Sequence, residues 1–152
     1  MKDRLAGQLD LTRLFDRDAG PTLIDSLALR GNDVARDARA ICAVIGSPSL
    51  KDENTASGSR QQGAAAAILT AWHESGSEVA SHLRGSYALA IVDTTRACVF
   101  LAVDRFAIET LCYRTDGRTL AFADRADCLR SMILRDCLDG QHNFGKCGKC
   151  VS

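Results

Sequence analysis

No stretch of this chain stays apolar for the roughly 18 residues that a membrane-crossing helix needs, so a membrane is not an expected partner. Neither sign of charge predominates: Lys plus Arg and Asp plus Glu each number 19. That removes the field that would steer the chain toward nucleic acid or anionic lipid. No Pro- or Gly-rich linker divides the 152 residues, which suits one domain with one core. The opening segment, MKDRLAGQLDLTRLFDRD, alternates charge with leucine and has no apolar h-region. A secretory signal is therefore not expected, and the cytoplasm is. No glycine-rich phosphate cradle is found, so no cofactor is expected. No cysteine occurs before Cys42.

What is present is an ordinary globular composition, 46 % apolar and 25 % charged. The seven cysteines are odd in number and irregularly spaced, a poor disulfide framework for a cytoplasmic chain. Cys42, Cys98 and Cys112 sit in apolar runs, where a thiol behaves as a small hydrophobe. Pro21 opens a predicted short helix with Leu23, Ile24 and Leu27 on one face. Arg30 to Asp33 closes it, with Gly31 or Asn32 available for a left-handed cap. Ala40 to Ile45 is β-branched, apolar and closed by Gly46, the pattern of a buried strand. Residues 47–62 are polar and predict a surface loop.

From Gly63 to about Leu83 the alanines, Ile68, Leu69 and Trp72 predict helix, broken at Ser75–Ser77, with Ser77 and Glu78 starting a second piece. Two predicted hairpins follow, 87–92 with 97–103 and 110–114 with 119–123, the second marked by Asp116-Gly117. The first is apolar on both faces and is expected to be covered on each side. Asp124 is placed to cap a last helix whose apolar positions are Ala126, Leu129, Met132 and Ile133. After Leu138 periodicity stops. The division is thus a folded domain over 1–138 and a disordered tail over 139–152, and the element order predicts an α+β fold.

Leu83-Arg-Gly-Ser-Tyr-Ala-Leu-Ala-Ile-Val-Asp93 is similar to the "LRGmFAFAlwD" segment of class II glutamine amidotransferases of the asparagine synthetase family. Leu101 to Tyr113 is similar to its "lARDrfGikPLYY". Leu120 to Leu129 resembles "l.FASE.kaL", and Ile68 to Gly76 resembles the helix just upstream. Leu27 to Asp33 is a weaker counterpart of "laHRGPD", and Ala43 to Ser47 occupies the place of "vfNGEIyN". The resemblance implies an N-terminal-nucleophile-hydrolase-like αββα sandwich of two antiparallel sheets. It also implies a glutaminase in which an N-terminal cysteine, with its own α-amino group as base, attacks the glutamine amide. An Asn side chain and a Gly backbone would stabilise the oxyanion, and ammonia would pass to an ATP-using synthetase domain.

This chain departs from that pattern where the chemistry lies. Residue 2 is Lys2, Ile45 stands at the oxyanion Asn, Ser47 at the acidic residue that follows it, and Gly63-Ala64 at the Asp expected before the long helix. Gly46 remains, and Arg30 is the surviving candidate for holding glutamine, so these two are the vestigial substrate-binding residues and no catalytic residue is expected. Losing one oxyanion donor alone costs about 3–4 kcal/mol. The expectation is a truncated, degenerate glutaminase-like domain without activity of its own.

The alternative is a non-catalytic partner or scaffold for a separately encoded synthetase domain, or a homo-oligomer, using the sheet edges and the helix over 124–135. A further alternative is a metal- or redox-responsive Cys147/Cys150 tail, for which His142 is the only nearby third ligand. His73 and His82 read as surface or partly packed residues, and Trp72 as packed on the sheet. Asp104 and Arg105 suggest an internal ion pair, and Ala107 and Thr110, in place of the family's Gly and Pro, a relaxed turn.

Overall fold

The structure, a computed structural model, describes residues 4–16, 22–24, 27–51 and 63–129. The strongest elements lie where continuous β-branched and apolar sequence leaves no alternative to burial. Strand β3 (Ala40–Gly46) and strand β6 (Tyr87–Asp93) pair antiparallel along their whole length. They form the centre of a four-stranded sheet. On its flanks are β2 (Asp33–Arg36) and β7 (Cys98–Val103), in the order β2-β3-β6-β7. A second sheet, ordered β1-β9-β8, is built from β1 (Ala6–Asp10), β8 (Cys112–Thr115) and β9 (Thr119–Ala123). The two hairpins expected from the sequence are both present, and each belongs to a different sheet.

Alternation along the central strands defines the layers. Ile41, Ala43 and Ile45 of β3, with Ala88, Ala90 and Val92 of β6, face Leu5, Leu9, Leu120 and Phe122 of the second sheet in one core. Ala40, Cys42 and Val44, with Tyr87, Leu89 and Ile91, face the opposite way. They pack on Ile68, Leu69 and Trp72 of helix α2 (Ala64–Ser75). On the outer face of the second sheet, Cys112 and Ala123 pack on Leu129, in the helix that begins at residue 126. The layer order is helix, sheet, sheet, helix: the α+β sandwich that the resemblance implies. No helix among the described residues is long and apolar enough to cross a membrane.

Several expectations are corrected. The first element is a strand, β1, followed by one helical turn, α1 (Leu11–Leu14), capped by the Asp10 carboxylate. The alternation of leucine with charge in the opening segment is the mark of an edge strand buried on one face, with Leu9 inward and Gln8 and Asp10 outward. The helix after Pro21 is seen at 22–24, with Leu23, Ile24 and Leu27 all buried. Neither Gly31 nor Asn32 is left-handed; the chain bends there and enters β2. Within the expected loop, β4 (Ser49–Leu50) pairs with β5 (Leu83–Arg84), and residues 52–62 lie outside the described set. The break at Gly76 is present, but the 3-10 turn Gly76–Glu78 and helix α3 (Val79–His82) have no side-chain cap from Ser77 or Glu78.

Asp124 does not cap the last helix. Its Oδ1 is buried without a hydrogen-bond partner among the described residues, and burial pushes its carboxyl above the usual range despite nearby Arg4. Met132, Ile133 and everything after them, including Cys147, Cys150 and His142, lie outside the described residues.

Helix α2 starts at Gly63, which has no side chain to cap the open N–H groups. Asp33 of β2 supplies the acceptor from outside: its Oδ2 takes the Ala65 N–H at 2.9 Å. An Asp33→Ala variant is expected to lose about 1 kcal/mol of stability, the usual worth of a cap. Urea unfolding with an unchanged m-value checks it.

Candidate functional site

At one end of the sandwich the two central strands exchange close backbone contacts. Gly46 ends β3 at φ +90°, and a Cβ there would overlap the Ser86 carbonyl oxygen. Gly85 answers it at φ +93°, where a Cβ would overlap the Ser47 carbonyl oxygen. The Ser47 N–H donates to the Ser86 carbonyl at 2.7 Å. Only glycine at both positions allows two left-handed backbones to interlock this tightly. Gly46 stands opposite Tyr87 in the ladder, and this fixes its surroundings through a third element.

That element is the turn after β7. Asp104 is buried, and its carboxylate accepts the backbone N–H groups of Phe106 (2.9 Å), Glu109 (3.2 Å), Ile108 (3.3 Å) and Tyr87 (3.3 Å). Burial pushes its carboxyl up, but the N–H donors together outweigh burial and hold it below the ordinary carboxylate range. The Asp104 N–H also donates to the Tyr87 carbonyl at 2.9 Å. Asp104 is therefore a backbone organiser and makes no ion pair with Arg105, whose side chain points to solvent.

The turn is not relaxed. Ala107 holds φ +50° and donates its N–H to the Asp104 carbonyl, so the left-handed geometry persists without glycine. Thr110 bonds its hydroxyl to the Asp124 carbonyl at 2.7 Å. Left-handed backbone costs alanine about 1–2 kcal/mol, while glycine's extra chain entropy costs about 0.5–1. Ala107→Gly should stabilise the protein by about 0.5–1 kcal/mol, read as a raised melting temperature.

The candidate residues are placed as follows. Arg30 is joined by its backbone to β1: its N–H donates to the Ala6 carbonyl at 2.9 Å, and the Ala6 N–H donates back at 3.2 Å. Its side chain is exposed. The neighbouring Gly31 lies against the backbone of Val44, two residues before Gly46. The start of β1, Arg30 and the end of β3 are thus connected by backbone at one end of the sandwich. Ile45, at the oxyanion Asn position, is 1 % exposed and sits in the intersheet core.

None of the four described cysteines stands at the start of β1. Cys42 is inside β3, where burial, with a contribution from Asp33, pushes its thiol up to about 12. Cys98 is on β7, and Cys112 and Cys128 lie on the outer face of the second sheet. No group of His, Cys, Asp and Glu among the described residues could hold a metal ion. The sequence did not show that Asp104 ties its own turn to Tyr87 or that Asp33 caps α2, because Tyr87 and Ala65 lie far from these carboxylates in the chain. Gly85 was visible only as part of a motif.

The fold, the motif order and this interlocked pair of glycines define a glutaminase-type sandwich domain. The family model described as "Glutamine amidotransferase domain" matches residues 43–131, and the chain belongs to that family. Three curated relatives, one from Mycobacterium bovis and two from strains of Mycobacterium tuberculosis, bear the name "Putative asparagine synthetase (glutamine-hydrolyzing)". Each is 37 % identical over 67 residues, which is 44 % of this chain and 10 % of the relative. The similarity therefore spans about a tenth of those proteins.

Proposed function

We propose that this glutamine amidotransferase-family domain does not hydrolyse glutamine, and that it serves as a non-catalytic, asparagine-synthetase-like module. Ile45 carries the reading. The position that would offer a carboxamide to an oxyanion holds a buried hydrocarbon inside the core, so no rotation of that side chain can restore a donor. In this reading Arg30 and Gly46 are a remnant of recognition, and no described cysteine stands at the start of β1 to act as nucleophile beside them.

Purified protein assayed for ammonia release from glutamine is expected to match buffer. Release abolished by a thiol alkylating agent overturns the proposal. Isothermal calorimetry with glutamine separates recognition from chemistry: any heat of binding should vanish in Arg30→Ala.

A second reading is that the domain pairs with a separately encoded synthetase domain, with its sheet edges as the contact surface. Stable co-purification with an asparagine-synthetase-type ATP-using domain supports it, and a pull-down that recovers none counts against it.

A further inference from the structure

The outer edge of the four-stranded sheet is unusual. Strand β7 reads Cys-Val-Phe-Leu-Ala-Val, is half-buried at every position, and pairs only with β6 among the described residues. It has no charge, proline or bulge, the devices that ordinarily keep an edge from pairing. Val99, Leu101 and Val103 pack on the intersheet core and line an apolar cleft of about 670 Å³ with Leu111, Tyr113 and Leu120.

The two ends of this strand carry opposite surfaces. Beyond Val103, Phe106 is 80 % exposed and Ile108 is 66 % exposed, on a turn that Asp104 holds rigid, with the Arg105 cation exposed beside them. At the Cys98 end is a hollow of about 630 Å³. Trp72 and Phe100 form its aromatic floor, and Glu74 and Glu78 bring two exposed carboxylates. Arg96, also at the hollow, has its charge matched by the Asp93 carboxylate at 2.9 Å.

We propose that β7 pairs with β7 of a second copy of this chain, antiparallel about a two-fold axis at Leu101, each copy seating its Phe106–Ile108 turn in the other's hollow. In that register Val99 faces Val103 and Phe100 faces Ala102, so core-facing residues meet core-facing ones and the two clefts become continuous. Beyond the strand ends, the same two-fold carries the turn at Phe106 of one copy toward the turn at Arg96 of the other. This brings the apolar turn to the aromatic floor, and Arg105 to Glu74 and Glu78. A knob and cation at one end of a strand, with a hollow and carboxylates at the other, are the self-complementary pair that an isologous two-fold requires. The formal net charge of zero sets no long-range repulsion against it. Rigid exposed aromatic residues bind at low entropic cost. The proposal does not depend on whether the domain hydrolyses glutamine.

Sedimentation equilibrium of the full chain over a range of concentrations tests it. A reversible dimer is expected, with Phe106→Asp raising its dissociation constant at least about tenfold while the monomer's near-UV spectrum stays unchanged. Arg105→Glu should weaken the dimer, and adding Glu74→Arg and Glu78→Arg to it should restore association. This charge swap stands by itself should Phe106→Asp misfold. A chain that stays monomeric at roughly 100 μM, well above the range in which standard interfaces associate, overturns the proposal. So does a dimer indifferent to both Arg105→Glu and Phe106→Asp.

Discussion

Asp104→Ala should remove about 4 kcal/mol of unfolding free energy, placing it in the exceptional tail of single substitutions. Four backbone N–H groups converge on this carboxylate, and hydrogen bonds to a charged acceptor contribute about 1.5–3 kcal/mol each before non-additivity is counted. Water can take over at the exposed turn, but not at Tyr87, which is buried at the head of β6. Asp104→Asn retains the shape and one acceptor oxygen, so about half that loss is expected. Urea titration gives both values.

The pH dependence separates charge from shape. Asp104 has a folded-state pKa below its unfolded value, near 3.9. Between the two values the unfolded chain binds the extra proton, so stability falls with falling pH. The carboxylate's contribution is complete above about pH 4 and is lost as pH drops through the depressed folded value. In Asp104→Asn the acid limb of the stability curve should flatten, leaving the share of the other carboxylates held below their usual range, Asp93, Asp37, Asp10 and Asp116 among them.

The second large effect lies at the opposite end of the same sheet. Trp72 is buried between α2 and β7, its ring centroid 5.0 Å from that of Phe100. Its indole N–H donates to the Asp93 Oδ2 at 2.7 Å. Asp93 is itself fully buried and also accepts the N–H groups of Thr95 and Arg96 and the Arg96 guanidinium. That guanidinium lies 5.4 Å above the Trp72 ring. Burial works against the Asp93 charge, and these donors outweigh it and hold the carboxyl below its usual range.

Trp72→Ala combines a large cavity with the loss of one donor, and about 4 kcal/mol is expected. Trp72→Phe keeps most of the ring, so its smaller loss reports the hydrogen bond. A double-mutant cycle of Trp72→Phe with Asp93→Asn should show a coupling of about 1–2 kcal/mol. A coupling near zero would mean that the indole N–H contributes nothing to holding the helix on the sheet.

These two carboxylates show where a single sequence is informative. Asp93 stood in a turn between two apolar runs and Asp104 at the end of one, so both were visible as turn residues. Their distant partners were not. Asp104 serves Tyr87, which precedes it by two strands and the turn between them, and Asp93 serves Trp72 on a helix across the sheet. The reading of Asp104 with Arg105 as an ion pair followed adjacency in the chain. The fold prefers to spend a buried carboxylate on N–H groups that have no other acceptor, and it leaves the arginine in water. At Ala107 and Thr110, changed residues suggested a changed turn, yet the Asp104 bonds enforce the same backbone on a residue that resists it.

The continuous apolar runs at 40–45 and 87–92, the Asp-Gly hairpin and the alanine-rich helix were determined by sequence alone. In each, local propensity and the need for burial select the same conformation. The motifs from 68 to 129 likewise carried the family. The assignment of the two hairpins to separate sheets, the seat of β1 beside Arg30, the interlocking of Gly46 with Gly85 and the place of β7 at the edge of its sheet among the described residues were decided only in three dimensions. Each depends on contacts between segments far apart in the chain, where periodicity and spacing fix no partner and the winning arrangement is the one that buries the most apolar surface with its backbone groups paired.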